Sequence, residues 1–309
     1  MVESVKIPRR SHLVAIGLIA ACGPADPGGG PASATSPAAP GGSIAAPAAS
    51  APAPELDTHG RRNAGRKAPP ECRDHGDAPS SPPTPLFDAD DTRAQGTDVS
   101  DAQGAVPWKA LHEGGVEFVY IRASEGHTIQ DHHFEANWAM ARACGLPRGA
   151  YHVYEPTQEV GAQVDNFLGR IGEDHGELPA VLDIEITPEM VASRNERNKT
   201  NDAFPSRVDY ITGVLAWLTK VEAATGKRPV IYIQPWYWHS YLGKSADLVE
   251  HPLWAAGAAP RGRDGWTWSF WQHGQPAQWD SRTWDRDLFH GTKAELDALL
   301  ASLAAPGGK

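Results

Sequence analysis

The sequence predicts an α/β fold, a modified β/α barrel with an irregular, helix-poor last third, preceded by a disordered tether. Three observations predict it. From Gly96 onward, short β-like apolar runs alternate with helical stretches, as parallel β/α units require. The runs number eight, enough to close a TIM-like barrel. Ionisable and aromatic residues recur at the carboxyl ends of the runs, the rim where such barrels gather functional groups.

The runs are Gly96 to Ser100, Phe118 to Arg122, Gly149 to Tyr154, 179–185, Pro229 to Ile233, Leu253 to Ala255, Trp268 to Gln272, and a last piece around Trp284 to Phe289. Helices fit best at about 131–144 (stopped by Gly145), 157–172, 206–225 and 293–303. The connections after runs five to seven are too short for full crossover helices, so the last third is expected to be antiparallel or irregular.

Run four, Pro179-Ala180-Val181-Leu182-Asp183-Ile184-Glu185, is unusual because a buried-looking strand ends in two carboxylates. Side chains alternate along a strand, so Asp183 and Glu185 share one face while Leu182 and Ile184 take the other. Close carboxylates oppose each other's ionisation, and partial burial raises at least one pKa, as acid catalysis near neutral pH requires. Such a pair suits glycoside hydrolysis. A strand end carrying two solvated acids is the plainer alternative for a D-x-E alone, so its meaning depends on the rest of the rim. There Asp98 ends run one, Arg122 and Glu125 follow run two, and His152 and Tyr154 end run three. Gln234 and Trp236 follow run five, Trp254 lies in run six, Trp271 and Gln272 end run seven, and Asp285 and Asp287 lie in run eight.

Composition divides the chain of 309 residues. Lys6, Arg9 and Arg10 precede an apolar run from Leu13 to Ala21 that is too short to span a bilayer and stops at Cys22. Ile19-Ala20-Ala21-Cys22 resembles a bacterial lipobox, which implies a signal peptide over 1–22, lipidation of Cys22 and a membrane-anchored protein outside the cytoplasm; an ordinary cleaved signal peptide is the alternative. Residues 23–95 are rich in Pro, Ala, Gly and Ser, cannot bury enough apolar surface to offset ordering, and read as a disordered linker. Residues 96–309 form the expected catalytic domain. Cys72 and Cys144 either pair, pinning the end of the linker, or leave Cys144 as a small buried residue near a helix end. No Cys/His spacing suggests zinc, and no metal or cofactor is expected.

The net charge is −10, and residues 1–95 hold nine basic and ten acidic side chains, so the acidity belongs to the folded part. An acidic domain without a basic stripe argues against nucleic acid and suits an uncharged ligand. Of eleven Trp, nine follow residue 215. Such rings can stack on sugars. Most are expected to pack the core, with Trp254, Trp271 and Tyr154 the better subsite candidates because they sit at strand ends.

Taken together, Asp98-Val99-Ser100-Asp101-Ala102-Gln103-Gly104, Phe118 to Gly126, Arg148-Gly149-Ala150-Tyr151-His152, Leu178 to Glu185 and Phe270-Trp271-Gln272 resemble family 25 of the glycoside hydrolases, the N-acetylmuramidases or lysozymes. Further matches are Asn137-Trp138, Gly226 to Tyr232, Pro252-Leu253-Trp254 and Phe289-His290-Gly291, so the resemblance runs from about Gly96 to Leu303. It implies cleavage of the β-1,4 bond between N-acetylmuramic acid and N-acetylglucosamine in peptidoglycan strands by a monomer. Glu185 would be the general acid and Asp183 its partner, with Asp98 and Asp285 completing the acidic ring. Asp183 would stabilise positive charge directly or orient the substrate's acetamido oxygen as an internal nucleophile. Substrate would be held by Arg122, Tyr154, Trp254, Trp271 and Gln272.

The sequence departs from the family pattern at Asp101, an extra acid near Asp98; at Ala255 to Ala259, where a Tyr is usual; and at His273, after Trp271-Gln272. The loop from Ile186 to Phe204 is long and polar. Two other readings are a non-catalytic glycan-binding module on the same fold and a hydrolase of another N-acetylated glycan. A pure binder has no need of a costly acid cluster, which disfavours the first.

Overall fold

The computed structural model describes residues 71–74, 91–243, 245–257, 266, 268–273, 277–279 and 282–304. The expected signal peptide, Cys22 and linker residues 23–70 and 75–90 lie outside the described residues. The elements are β1 (Arg93–Val99), α1 (Trp108–Glu113), β2 (Phe118–Glu125), β3 (Ile129–Gln130), α2 (Phe134–Ala143), β4 (Arg148–Val153), α3 (Val160–Ile171), β5 (Val181–Ile184) and α4 (Pro188–Asn198). They continue with α5 (Arg207–Thr225), β6 (Val230–Ile233), α6 (Pro235–Ser240), β7 (Leu253–Gly257), β8 (Trp268–His273), β9 (Ala277–Trp279), β10 (Arg282–Trp284), β11 (Asp287–Thr292) and α7 (Lys293–Ala304).

Eight strands close in the order β1-β2-β4-β5-β6-β7-β8-β11, with β11 returning to β1. Neighbours from β1 to β8 are parallel, and β11 is antiparallel to both β8 and β1. Among the described residues, the irregularity expected of the last third consists of a reversed final strand, the β9–β10 hairpin before it and a register shift between β7 and β8; β7 and β8 themselves are parallel. Reversal has a consequence for the site. The start of β11 lies at the same rim as the ends of the parallel strands.

Alternation along the strands builds two cores. Val119, Ile121, Ala150, Leu182, Ile184, Ile231 and Ile233 face outward onto helices carrying Phe167, Val214, Trp217 and Leu218. Phe118, Tyr120, Tyr151, Val181, Tyr232, Trp254, Phe270 and Phe289 fill the interior. The rings fit because a neighbouring strand supplies a glycine: a Cβ on Gly149 would lie 2.1 Å from the Tyr120 ring. At the amino-terminal end, α7 follows β11 and adds Leu296, Leu299 and Leu300 to the interior core.

α4 occupies much of the stretch expected to be a polar loop. Thr187 caps it by accepting from Met190 N at 3.3 Å, Pro188 opens it, and Lys199 ends it in the left-handed region. Such a cap is worth about 1 kcal/mol. Only Val191 of this helix is buried, so it has no apolar stripe to mark it in sequence.

Cys72 and Cys144 form a disulfide, with Cα atoms 4.5 Å apart. Ala110 N also donates to Asp74 Oδ1 at 3.0 Å. The fold thus reaches upstream of the expected Gly96 boundary, with β1 beginning at Arg93 and residues 71–74 tied to the domain.

Candidate active site

Each strand end contributes an inward side chain to one rim. Asp98 is on β1, one residue before its end, with Val99 turned to the outer core. Asp183 is on β5, and Glu185 follows directly after that strand with the same parity. Asp285 and Asp287 flank the start of the reversed β11. Asp183 and Asp287 are buried, whereas Asp98, Glu185 and Asp285 are half-buried. The cluster is therefore deep but open to ligand.

A bulge shapes β2. Its register against β4 shifts between Arg122 and Ser124, pairing Arg122 with Tyr151, Ser124 with His152 and Glu125 with Val153. One extra residue restores the inward parity at Glu125, which would otherwise face outward. Arg122 Nη1 then lies 4.0 Å from Glu125 Oε2 and Nε 3.1 Å from Asp131 Oδ2. Arg122 also pairs with Asp101, so the added acid is neutralised locally rather than left beside Asp98.

Two hydrogen-bond chains meet at Asp98. The Tyr232 hydroxyl donates to Gln272 Oε1 at 2.7 Å, and Gln272 Nε2 donates to Asp98 Oδ1 at 2.8 Å. On the other side, Trp254 Nε1 donates to Asp287 Oδ1 at 3.2 Å, and Asp287 is hydrogen-bonded to Asp98. Asp183 Oδ1 is buried without a hydrogen-bond partner among the described residues.

Burial is the main cause of raised carboxyl pKa values here. Glu185 is pushed up to about 7 by burial and then the Glu125 charge, opposed by Arg122. Asp98 rises to about 6 through burial despite its bonds from Gln272 and Asp287. Asp285 rises to about 8 by burial and the Asp98 charge. Asp183 is raised well above the ordinary carboxylate range by burial, then by Glu185 and Asp98.

These shifts have a stability consequence. A folded carboxyl that holds its proton above the unfolded pKa loses stability as pH rises through the folded value. Thermal melts should therefore show Tm falling from about pH 5 to pH 8 as Asp98, Glu185 and Asp285 ionise. Glu185→Gln should flatten that fall and melt higher than wild type at pH 8.

The expected subsite residues divide. Arg122 and Gln272 stand in the acid cluster. Tyr154 does not: it is 2% exposed, its ring stacks on Tyr210 at 5.8 Å, and its hydroxyl occupies space left by Gly213 on α5. Trp271 also faces out of the barrel, donating to Gly257 O at 3.0 Å beneath the Arg93 guanidinium. The strand period explains both, since Gln272 and Val153 face inward and their neighbours must face outward. Trp254 does face inward but is 2% exposed, packing on Tyr120 at 4.7 Å and binding Asp287 rather than offering a ring to ligand. His152 likewise leaves the rim, bound to Ser124 Oγ at 2.9 Å and Gln163 Oε1 at 3.2 Å and stacked on Trp217.

Sequence reasoning gives no role in the site to Asp287, Tyr151, Tyr232 or Glu125, although it places Asp287 and Glu125 at the rim. The first three could have been found by extending the parity of Asp183, Phe270 and Trp254 around the barrel; Glu125 depends on the bulge. Among the described residues, Trp236, 49% exposed just after β6, is the Trp whose ring remains open at this rim.

A barrel whose mouth holds several carboxyls, some protonated near neutral pH and others ionised, is equipped for acid-assisted bond cleavage on a neutral substrate. Residues 97–281 match the family described as Glycosyl hydrolases family 25, and the chain belongs to that family; it is a glycosyl hydrolase. It is 33% identical to Lysozyme M1 of Streptomyces globisporus, over 70% of this chain and 74% of that one. It is 31% identical to an N,O-diacetylmuramidase of Arthroderma benhamiae, over 67% of this chain and 87% of the relative. The crystal structure of a bacterial lysozyme from Streptomyces coelicolor superposes with a TM-score of 0.60 at 31% identity, covering 70% of this chain and all (100%) of that one.

Proposed function

We propose that this chain is an exported lysozyme that hydrolyses the β-1,4 bond between N-acetylmuramic acid and N-acetylglucosamine in peptidoglycan. The lysozyme and muramidase relatives support the substrate class. The observation that carries the mechanism is the arrangement on β5: a half-buried Glu185 held up to about 7, two residues beyond a buried Asp183 whose Oδ1 has no partner.

Glu185 starts protonated and gives its proton to the leaving glycosidic oxygen. Asp183 Oδ1 is an acceptor in need of a donor, and the N–H of the substrate's acetamido group supplies one. That bond turns the acetamido oxygen toward the anomeric carbon, the substrate-assisted route to a retained configuration. Asp98, raised only to about 6 and so largely ionised near neutral pH, adds negative potential against the positive charge that develops on the sugar. Purified protein incubated with peptidoglycan tests this directly through release of reducing ends; a folded protein that releases none would remove the reading.

The Cys72–Cys144 disulfide supports an oxidising compartment, in keeping with the basic and apolar leader. Lipidation of Cys22 would hold the enzyme at a membrane, with residues 23–70 as the tether. Cys22→Ser should move the protein from the membrane fraction to the soluble one on cell fractionation. Unchanged partition would rule out the lipid anchor while leaving the hydrolase intact.

A further inference from the structure

We propose that Asp287 is a positioning residue: sealed in the barrel, its neutral carboxyl donates a hydrogen bond that holds Asp98 ionised and oriented at the mouth of the barrel. This rests on the glycosidase reading of the site and adds a residue to it.

Asp287 is 0% exposed, so water does not solvate it. Its Oδ1 accepts from Trp254 Nε1 at 3.2 Å, a neutral donor, and no cation pairs with it among the described residues. Its Oδ2 is buried and has no N–H or O–H donor among the described residues. The Asp98 carboxyl is its neighbour, and two carboxyls can share a hydrogen bond there only if one keeps its proton. An ionised, unpaired carboxylate at this depth would cost several kcal/mol, and such a group takes up a proton instead.

The proton belongs on Asp287 rather than Asp98. Asp98 is half-buried toward the open rim and already accepts from Gln272 Nε2 at 2.8 Å, so its charge is partly solvated. Asp287 is sealed by β1 and β8, its backbone in register with Gly96 and Gln272. The other titratable groups close enough to act on it or feel its charge are Asp285 and Tyr120, and neither is a cation. Burial, with the charges of Asp98 and Asp285, keeps the Asp287 carboxyl protonated far above the ordinary range. The proton on Asp287 in turn favours the ionised form of Asp98.

Two substitutions separate a neutral donor from a charged or merely space-filling residue. Asp287→Asn keeps an N–H donor toward Asp98 and an oxygen for Trp254; Asp287→Leu keeps the volume and removes both. Assayed on peptidoglycan, Asp287→Leu should lower kcat about 10- to 100-fold, the value of one hydrogen bond to a charged group. It should also move the acid limb of the pH profile upward, because Asp98 has lost its donor. Asp287→Asn should recover most of the rate and the wild-type acid limb. An Asn variant as slow as the Leu variant, or a Leu variant with wild-type rate and pH profile, would overturn the proposal. Infrared difference spectra of wild type minus Asp287→Asn give a readout independent of activity: a protonated carboxyl C=O band at pH 7 is expected, and a carboxylate band in its place would overturn the proposal even if the chain cleaved no peptidoglycan. Loss of cleavage by wild type with that C=O band present would instead count against the function alone.

Discussion

Glu185→Gln is expected to lower kcat on peptidoglycan by about 10²- to 10⁴-fold, the range supplied by a positioned general acid, with little change in substrate binding. The substitution is nearly isosteric and removes only the proton. Wild-type Glu185 is suited to the task because it combines burial with an open side: it retains a proton to about pH 7 yet remains half-buried at the rim. Its neighbours set the balance, with Glu125 and Asp285 favouring the protonated form and Arg122 opposing it. The wild-type rate should therefore decline above about pH 7 as the acid is lost, and the variant's residual rate should lack that decline. Stopped-point reducing-sugar assays across pH 5 to 9 measure both. A variant with wild-type kcat would remove Glu185 as the proton donor.

The second large effect is expected at Asp183. Asp183→Asn should lower kcat about 10²- to 10³-fold, comparable to loss of one preorganised electrostatic contact to the transition state. In the folded enzyme Asp183 Oδ1 has no partner among the described residues, an arrangement whose cost substrate binding would relieve. Donation from the acetamido N–H favours the ionised form of Asp183, and an amide in its place has no ionised form to offer. The two variants should differ in pH dependence. Glu185 and its neighbours Glu125, Arg122 and Asp285 are retained in Asp183→Asn, so that variant should keep an alkaline decline, which Glu185→Gln loses. Comparable alkaline limbs in both variants would contradict this division of labour.

Much of the barrel was legible because its strands are short apolar runs separated by helices with an amphipathic stripe. All eight closing strands fall within or beside the expected runs. α4 escaped because its residues are polar on nearly every side, and α1 and α6 because six residues give too little length for a period to emerge. The acids at strand ends were visible as a pattern, and Asp98, Asp183, Glu185 and Asp285 do converge on one rim. Position at a strand end does not fix which face a side chain takes, however. Tyr154 and Trp271 failed on that point, and Asp287 was placed at the rim but given no role although it shares the parity of Phe289, an interior residue. The bulge that turns Glu125 inward leaves no local sequence mark, because it is defined only by register against β4. The expected extra charge at Asp101 misled for a related reason: its partner Arg122 is 21 residues away and meets it only because β1 and β2 pair side by side.

Mass spectrometry of peptidoglycan digested by the purified chain tests the central claim most directly, because it identifies the bond that is cut. Fragments ending in N-acetylmuramic acid at the new reducing end, absent with Glu185→Gln, are the predicted result. Fragments ending in N-acetylglucosamine, or the same muramic acid ends from the Glu185→Gln variant, would contradict it.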